Sequence, residues 1–399
     1  MTPKKRFLLL IAVALGLYVA STGVSYAVFR NIRGSSTDLI LPINLGLAEK
    51  SFTRTGEPRT ESCPLNGRLQ TKKEKEAWEK RRPLGVMIEN HTDARPQLGL
   101  NLADVVYEAV AEGGITRFLA VYYCEGGTEE IVIGPVRSAR TFFLDWISEY
   151  GENPLYAHVG GANCDSSTGS GCQNGAKADA LGQIVKYGWA DYNDLNQFNI
   201  GYPTFWRDYS RGVATEHTMF ADLQKLWDVA KKRGLTEKDE EGMKWNDGFH
   251  PWKFLKENEA KPGDVLQKVS FGFWDGYKDF DMIWTYDPAK NIYLRSMGGV
   301  PHEDALTKQQ IEASVVILQF QTEAPANDGY PGNVHLLYGT IGTGPAKIFQ
   351  GGKVVEGTWE KENREARTVF MDDDGNEIKF YPGKIWVETL PLGNAVTIE

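Results

Sequence analysis

The sequence predicts an α/β N-terminal layer domain followed by a mostly antiparallel β C-terminal domain, α+β overall, preceded by one transmembrane helix. Three observations carry this reading. Residues 7–29 hold no charged side chain; residues 83–234 interleave strand-like and helix-like runs; beyond residue 270, short apolar runs are separated by Gly, Pro, Asp and Asn.

The N-terminal run, FLLLIAVALGLYVASTGVSYAVF, follows MTPKKR. It is longer than the ~7–15 apolar residues of a secretory signal and matches the roughly 20 that span a bilayer. Lys4, Lys5 and Arg6 precede it, against Arg30 and Arg33 after it. The positive-inside rule therefore keeps the N-terminus cytoplasmic and exports the rest. Residues 1–30 read as cytoplasmic stub and anchor, with cleavage after Ser25-Tyr26-Ala27 as the alternative. Residues 31–82 are polar and read as a stalk with one short helix over Lys72–Arg81.

The α/β domain spans 83–234. LGVMIE (84–89) predicts a strand. In NLADVVYEAVAE (101–112), Leu102, Val105, Val106, Ala109 and Val110 recur at helical spacing, which predicts a helix stopped by Gly113-Gly114. ITRFLAVYY (115–123) and EIVIGPV (130–136) predict a strand pair joined as a hairpin. A helix follows, with Phe142, Phe143, Trp146, Ile147 and Tyr150 on one face; then come a strand within 155–162 and a helix over 221–234. Residues 235–269 read as a charged linker, and 270–399 as the β-rich domain. Its strands start with a hairpin around Asp287-Pro288 and continue through VVILQF, VHLLYGTI, RTVFMD, EIKFYP and KIWVETL.

A net charge of −9 with no basic stripe argues against nucleic acid as a partner. The chain has no Gly-rich nucleotide loop, no GxSxG, SxxK or HExxH, and no local spacing of its six histidines that would ligate a metal. No cofactor, metal or nucleotide is expected. Four cysteines suit an oxidising compartment. Cys164 and Cys172 bracket the small-residue loop CDSSTGSGC, which is able to close a bridge; Cys63 and Cys124 are the pair that remains.

Three polar constellations are candidates for chemistry. Arg137-Ser138-Ala139-Arg140 sits where a strand meets a helix, and fork-shaped guanidinium donors suit a carboxylate or phosphate there. The competing reading is internal pairing with Glu89, Glu108 or Glu112. Asp104, Glu108 and Glu112, four apart, would stack along one helix face, solvated or set against Arg117. ENHTDARPQ (89–97) ends a strand in Glu89, Asn90 and His91 before Arg95, a place where α/β sheets present ligand groups. Glu89, His91, Glu108 and Glu112 are thus the candidate acid–base groups. Further on, Arg295, His302 and Asp304 occur together in RSMGGVPHED.

The phrases VMIENHTDARPQLGLNLADVVYEAVAEGGITRFLAVY, IGPVRSAR and YLRSMGGVPHED, with the run from KIFQGG to ETLP, resemble the YerB-like family of bacterial cell-envelope (lipo)proteins. The resemblance covers roughly 83–230 and 270–395 and implies a two-part, extracytoplasmic, membrane-tethered protein of unknown function. Its motif positions fall on Glu89, Asn90, His91, Arg95, Glu108, Glu112, Arg117, Arg137, Arg140, His302 and Asp304, with no catalytic roles attached. No cysteine follows the apolar segment closely enough for lipid attachment, the first being Cys63, so a helical anchor replaces the lipid in this reading.

The function expected is binding of an anionic cell-wall component or a cell-envelope partner. Arg95, Arg117, Arg137, Ser138, Arg140, His302 and Asp304 are the ligand-binding candidates. The alternative is a hydrolase or phosphotransferase acting on a cell-envelope glycan or peptidoglycan.

Overall fold

The computed structural model describes residues 56–127, 129–164, 171–263, 267–330 and 332–399. The expected anchor over 7–29 and the first part of the expected stalk lie outside these residues. Among the described residues no helix is long and apolar enough to cross a membrane. Pro58–Glu399 forms one compact unit.

From Pro58 onward the chain does not stand off as a stalk. Cys63, Leu65 and Trp78 are buried, and the Cys63–Cys124 disulfide fastens the segment to the body. The expected short helix is present as α1 (Lys72–Trp78), opened by a capping box between Thr71 and Glu74. Cys164 and Cys172 form the second bridge.

The centre is a ten-stranded mixed sheet to which both halves of the chain contribute. Its strands in chain order are β1 (Leu84–Glu89), β2 (Val105–Glu112), β3 (Ile115–Tyr122), β4 (Leu155–His158), β5 (Asp194–Asn196), β9 (Val315–Gln321), β10 (Gly342–Gln350), β11 (Lys353–Lys361), β12 (Val369–Asp372) and β13 (Ile385–Pro391). Between β5 and β9 the chain forms β6 (Lys268–Phe271), β7 (Met282–Asp287) and β8 (Ile292–Met297), and it ends in β14 (Val396–Ile398). The order across the large sheet is β12-β11-β10-β9-β13-β2-β3-β1-β4-β5. A second sheet, built on β8-β7-β6-β14, packs against one face. There Trp284 meets Trp386 at 5.4 Å, and Trp386 meets Phe118 at 5.4 Å. The opposite face carries α2 (Thr141–Ile147), whose Trp146 stacks on Tyr107 at 5.4 Å. The N-terminal region is therefore mixed α/β and the C-terminal region mainly antiparallel β, as the sequence predicts. The expected helix over 221–234 is α3 (Leu223–Lys232), and the hairpin at Asp287-Pro288 is β7–β8.

Three local expectations are corrected. Residues 105–112 form strand β2, not a helix. It runs between β13 and β3 with both faces covered, so nearly every position is apolar and helical spacing appears by coincidence. Gly113-Gly114 is accordingly a two-residue hairpin turn, with φ of +51° and +80°, joining β2 to β3. Second, 130–136 does not pair with β3, whose two edges are taken by β1 and β2. Its strand, Val132–Ile133, pairs instead with Met219–Asp222. Third, EIKFYP forms only isolated bridges at Glu377 and Phe380.

Candidate functional site

β1, β2, β4, β5, β9 and β13 all run one way, so their carboxyl ends share one edge of the large sheet. That edge is where open α/β sheets hold ligands. Glu89 closes β1 and Glu112 closes β2, while Arg117 lies near the start of antiparallel β3. The β1–β3 register sets Glu89 directly opposite Arg117, on one face.

Glu112 reaches that face through a bulge. The two-glycine turn pairs Glu112 with Ile115, whereas Val110 pairs with Thr116, which leaves Ala111 as an extra residue. Without it Glu112 would point to the face of Glu108. With it, Glu112 joins Arg117, 3.0 Å away.

The 134–140 segment supplies the other arginines. It lies along the end of β1, where Glu89 N–H donates to Pro135 O at 2.8 Å and Arg137 N–H to Met87 O at 2.9 Å. It then crosses to the end of β4, where Ala139 N–H donates to Gly160 O at 3.0 Å. So held, Arg137 Nε meets Glu89 Oε1 at 3.0 Å and Arg140 Nη2 meets Glu112 Oε2. Arg117 Nη1 donates to Ser138 O at 3.0 Å, which gives Ser138 a backbone role. The loop after β9 adds His335, whose Nε2 is 3.2 Å from Glu112 and whose Nδ1 is 2.5 Å from Asp328. The helix expected after these arginines is α2, only seven residues long, and Arg140 is its N-cap without a side-chain cap bond.

Three guanidinium groups thus gather on two carboxylates, Glu89 and Glu112, and a third carboxylate, Asp328, contacts His335. Burial pulls the Arg117 guanidinium down to about 10, and Arg140 and Arg137 add to the effect against the attraction of Glu112 and Glu89. Burial would raise the Glu112 carboxyl, but Arg117, the His335 hydrogen bond and Arg140 outweigh it and hold Glu112 well below the usual carboxylate range. Arg117 Nε and Arg140 Nε are buried and have no hydrogen-bond partner. Arg137 is the least buried member, its side chain 24% accessible.

His91 lies beside this cluster, its ring stacked on that of His217 at 4.4 Å. His217 Nδ1 is 3.0 Å from Glu89 Oε2. His217, His335 and Asp328 carried no signal in the sequence, because each stands far from the arginines along the chain and in no motif.

The remaining candidates lie elsewhere. Arg95 is turned onto backbone, donating to Asn90 O at 3.1 and 3.2 Å and to Asp279 O at 2.9 Å. Glu108 points to the opposite face and is sealed between the two sheets with Arg295 at 2.5 Å, both fully buried. It also accepts from Thr116 Oγ1 at 2.7 Å. His302 contacts Arg295 and lies 2.7 Å from Gln97 through Nε2. Burial, Arg295 and Arg95 hold His302 well below its ordinary range, so it is neutral. Glu388, beside Glu108, is pushed well above the carboxylate range by burial and by that neighbouring charge. Asp304 clips loops together, accepting from Gly99 N–H at 3.2 Å and Asn101 N–H at 2.7 Å. Asp104 is buried under the Cys63–Cys124 bridge, where it accepts from Asn66 at 2.8 Å. The expected stripe of Asp104, Glu108 and Glu112 is therefore three separate environments.

Two family models match the chain. "Protein of unknown function (DUF3048) N-terminal domain" covers residues 67–236, and the corresponding C-terminal domain covers 271–387. A relative in Bacillus subtilis, named "Putative lipoprotein YerB", is 30% identical over 338 residues, 84% of this chain and 88% of that protein. The chain belongs to the YerB-like family. The crystal structure of YerB protein from Bacillus subtilis superposes with a TM-score of 0.65 and 24% identity, over 85% of this chain and all of that one. It shares the fold of the family, and the polar edge described above is built on that fold.

Proposed function

We propose that this chain is a membrane-tethered, extracytoplasmic protein that binds an anionic cell-wall component or a cell-envelope partner at the carboxyl edge of its large sheet. The observation that carries the reading is the convergence of guanidinium there: among the described residues, Arg117, Arg137 and Arg140 share direct contact with only two carboxylates, Glu89 and Glu112. Arginines crowded beyond their carboxylate partners favour an incoming carboxylate or phosphate, which a planar guanidinium meets with two parallel bonds. Arg137, partly exposed, is the group such a ligand meets first. The lipoprotein name of the Bacillus subtilis relative supports the tether. In this chain the uncharged run 7–29, preceded by Lys4, Lys5 and Arg6, would serve as a single-pass anchor in place of a lipid.

A hydrolase or phosphotransferase needs a free general base. Of the four candidates, Glu112 is held ionised by its cations, Glu108 is sealed with Arg295 and Glu89 is engaged by Arg137, which leaves His91 alone, and that favours binding over turnover.

The test incubates the full-length chain, in mild detergent, with purified cell-wall material and sediments it. Co-sedimentation that Arg137→Ala abolishes, with no fragments in the supernatant by mass spectrometry, is the expected result. Fragments released by wild type alone would overturn it in favour of an enzyme. Equal co-sedimentation of wild type and Arg137→Ala would move the binding surface away from this edge.

A further inference from the structure

The geometry points to a second feature of the same edge: a binding site for a divalent transition-metal ion of the zinc class, formed by His91, Asp93 and His217. One ligand atom from each of these residues lies within 4.8 Å of the other two. The histidines come from distant parts of the chain, each fixed by a short turn. His91 caps the turn Thr92–Ala94, and His217 ends the turn Thr215–His217, where Thr218 Oγ1 donates to Thr215 O at 2.7 Å.

Two imidazoles and a carboxylate form a donor set suited to zinc, and three protein ligands leave a position open for water or substrate. The second observation is Glu89. Its Oε2 stands 3.0 Å from His217 Nδ1, both atoms are buried, and neither has an aligned hydrogen bond. A carboxylate on the far nitrogen of a metal-binding histidine is the usual way that ring is oriented, and it leaves Nε2 to face the ion. The charge of Arg137 is matched at the other Glu89 oxygen, 3.0 Å away. His91 Nδ1 accepts from Asp93 N–H at 3.1 Å, and its ring lies parallel to that of His217 within 9°. Lone pairs in parallel planes do not converge, so ligation turns His91, whose side chain is 32% exposed, out of its backbone bond and toward the ion. Asp93, 52% exposed, follows it, and the open position faces solvent.

This inference does not rest on the anion-binding reading. Its test is competition of the full-length chain with a chromophoric chelator for Zn²⁺. The expected result is one ion per chain, with affinity lost in His217→Ala and His91→Ala and reduced about ten- to a hundredfold in Glu89→Gln. Co²⁺ in place of Zn²⁺ would give the visible absorption of a tetrahedral site, absent in either histidine variant. Thermal melts of the apo proteins separate loss of the site from loss of the fold. Wild type without stoichiometric uptake, or uptake unchanged in well-folded His91→Ala and His217→Ala, would overturn the assignment.

Discussion

Glu108 and Glu112 leave the same strand on opposite faces. Glu108 binds Arg295 at 2.5 Å between the two sheets, whereas Glu112 binds Arg117 at 3.0 Å at the open carboxyl edge. Residues four apart in a regular strand share a face. The bulge at Ala111 separates them, so one carboxylate locks the sheets together and the other belongs to the candidate site.

The Glu108–Arg295 pair makes a stability prediction. Both groups are fully buried, so Arg295→Met strands the Glu108 charge and should cost about 3–5 kcal/mol. The double variant Glu108→Gln/Arg295→Met should recover most of that loss. Urea denaturation checks it; a single variant within about 1 kcal/mol of wild type would refute the account.

At the edge, Glu112→Gln leaves the buried Arg117 and Arg140 without their shared carboxylate. A loss of about 3 kcal/mol or more is expected. Because the folded-state pKa of Glu112 is depressed, its contribution is fully present above pH 4.5 and lost as pH falls below that value. Wild type should therefore lose stability on acidification more steeply than Glu112→Gln. Parallel acid titrations of the two would contradict the pairing.

Lys384 gives a prediction of the other sign. Burial brings its ammonium from 10.5 down to about 8, and it donates to Asn101 Oδ1 at 3.0 Å. The folded state releases this proton more readily than the unfolded state, so the charge weighs against folding below pH 8 and the penalty fades as pH rises to 10.5. At about 1.4 kcal/mol per unit, the rise in wild-type stability across that window should be on the order of 3 kcal/mol. Lys384→Met should be more stable at neutral pH and lack the rise. Thermal melts across the window decide it.

The turn that sets the bulge is also open to test. Gly113 has open space around its Cα, while a Cβ on Gly114 would meet the Tyr277 ring at 2.5 Å. Gly113→Asn should cost little, because Asn-Gly suits a turn with two positive φ angles. Gly114→Val should cost about 1–2 kcal/mol in backbone conformation, before the clash with Tyr277. Equal melting temperatures for the two variants would argue against this turn.

Much of the framework was legible. The strands at 84–89 and 115–122, the helix after Arg140, the β7–β8 hairpin and the Cys164–Cys172 bridge follow from periodicity, turn residues and cysteine spacing, and Cys63–Cys124 was the pair left over. These signals are local, and each element expresses its own side-chain pattern. The strand at 105–112 was not legible, since burial on both faces leaves no alternation to read.

The site divides along the same line. The sequence by itself determined which residue types stand at the end of β1 and in the 134–140 loop, and hence that Glu89 and the arginines could meet at a strand end; it set Glu112 on a helix instead. Only the tertiary structure decided their partners. The antiparallel β1–β3 register placed Glu89 opposite Arg117, the bulge turned Glu112 toward Arg140, and long-range closure brought in His217 and His335. Pairing register and face are set by the elements packed on either side of a strand, and a one-residue slip reverses both.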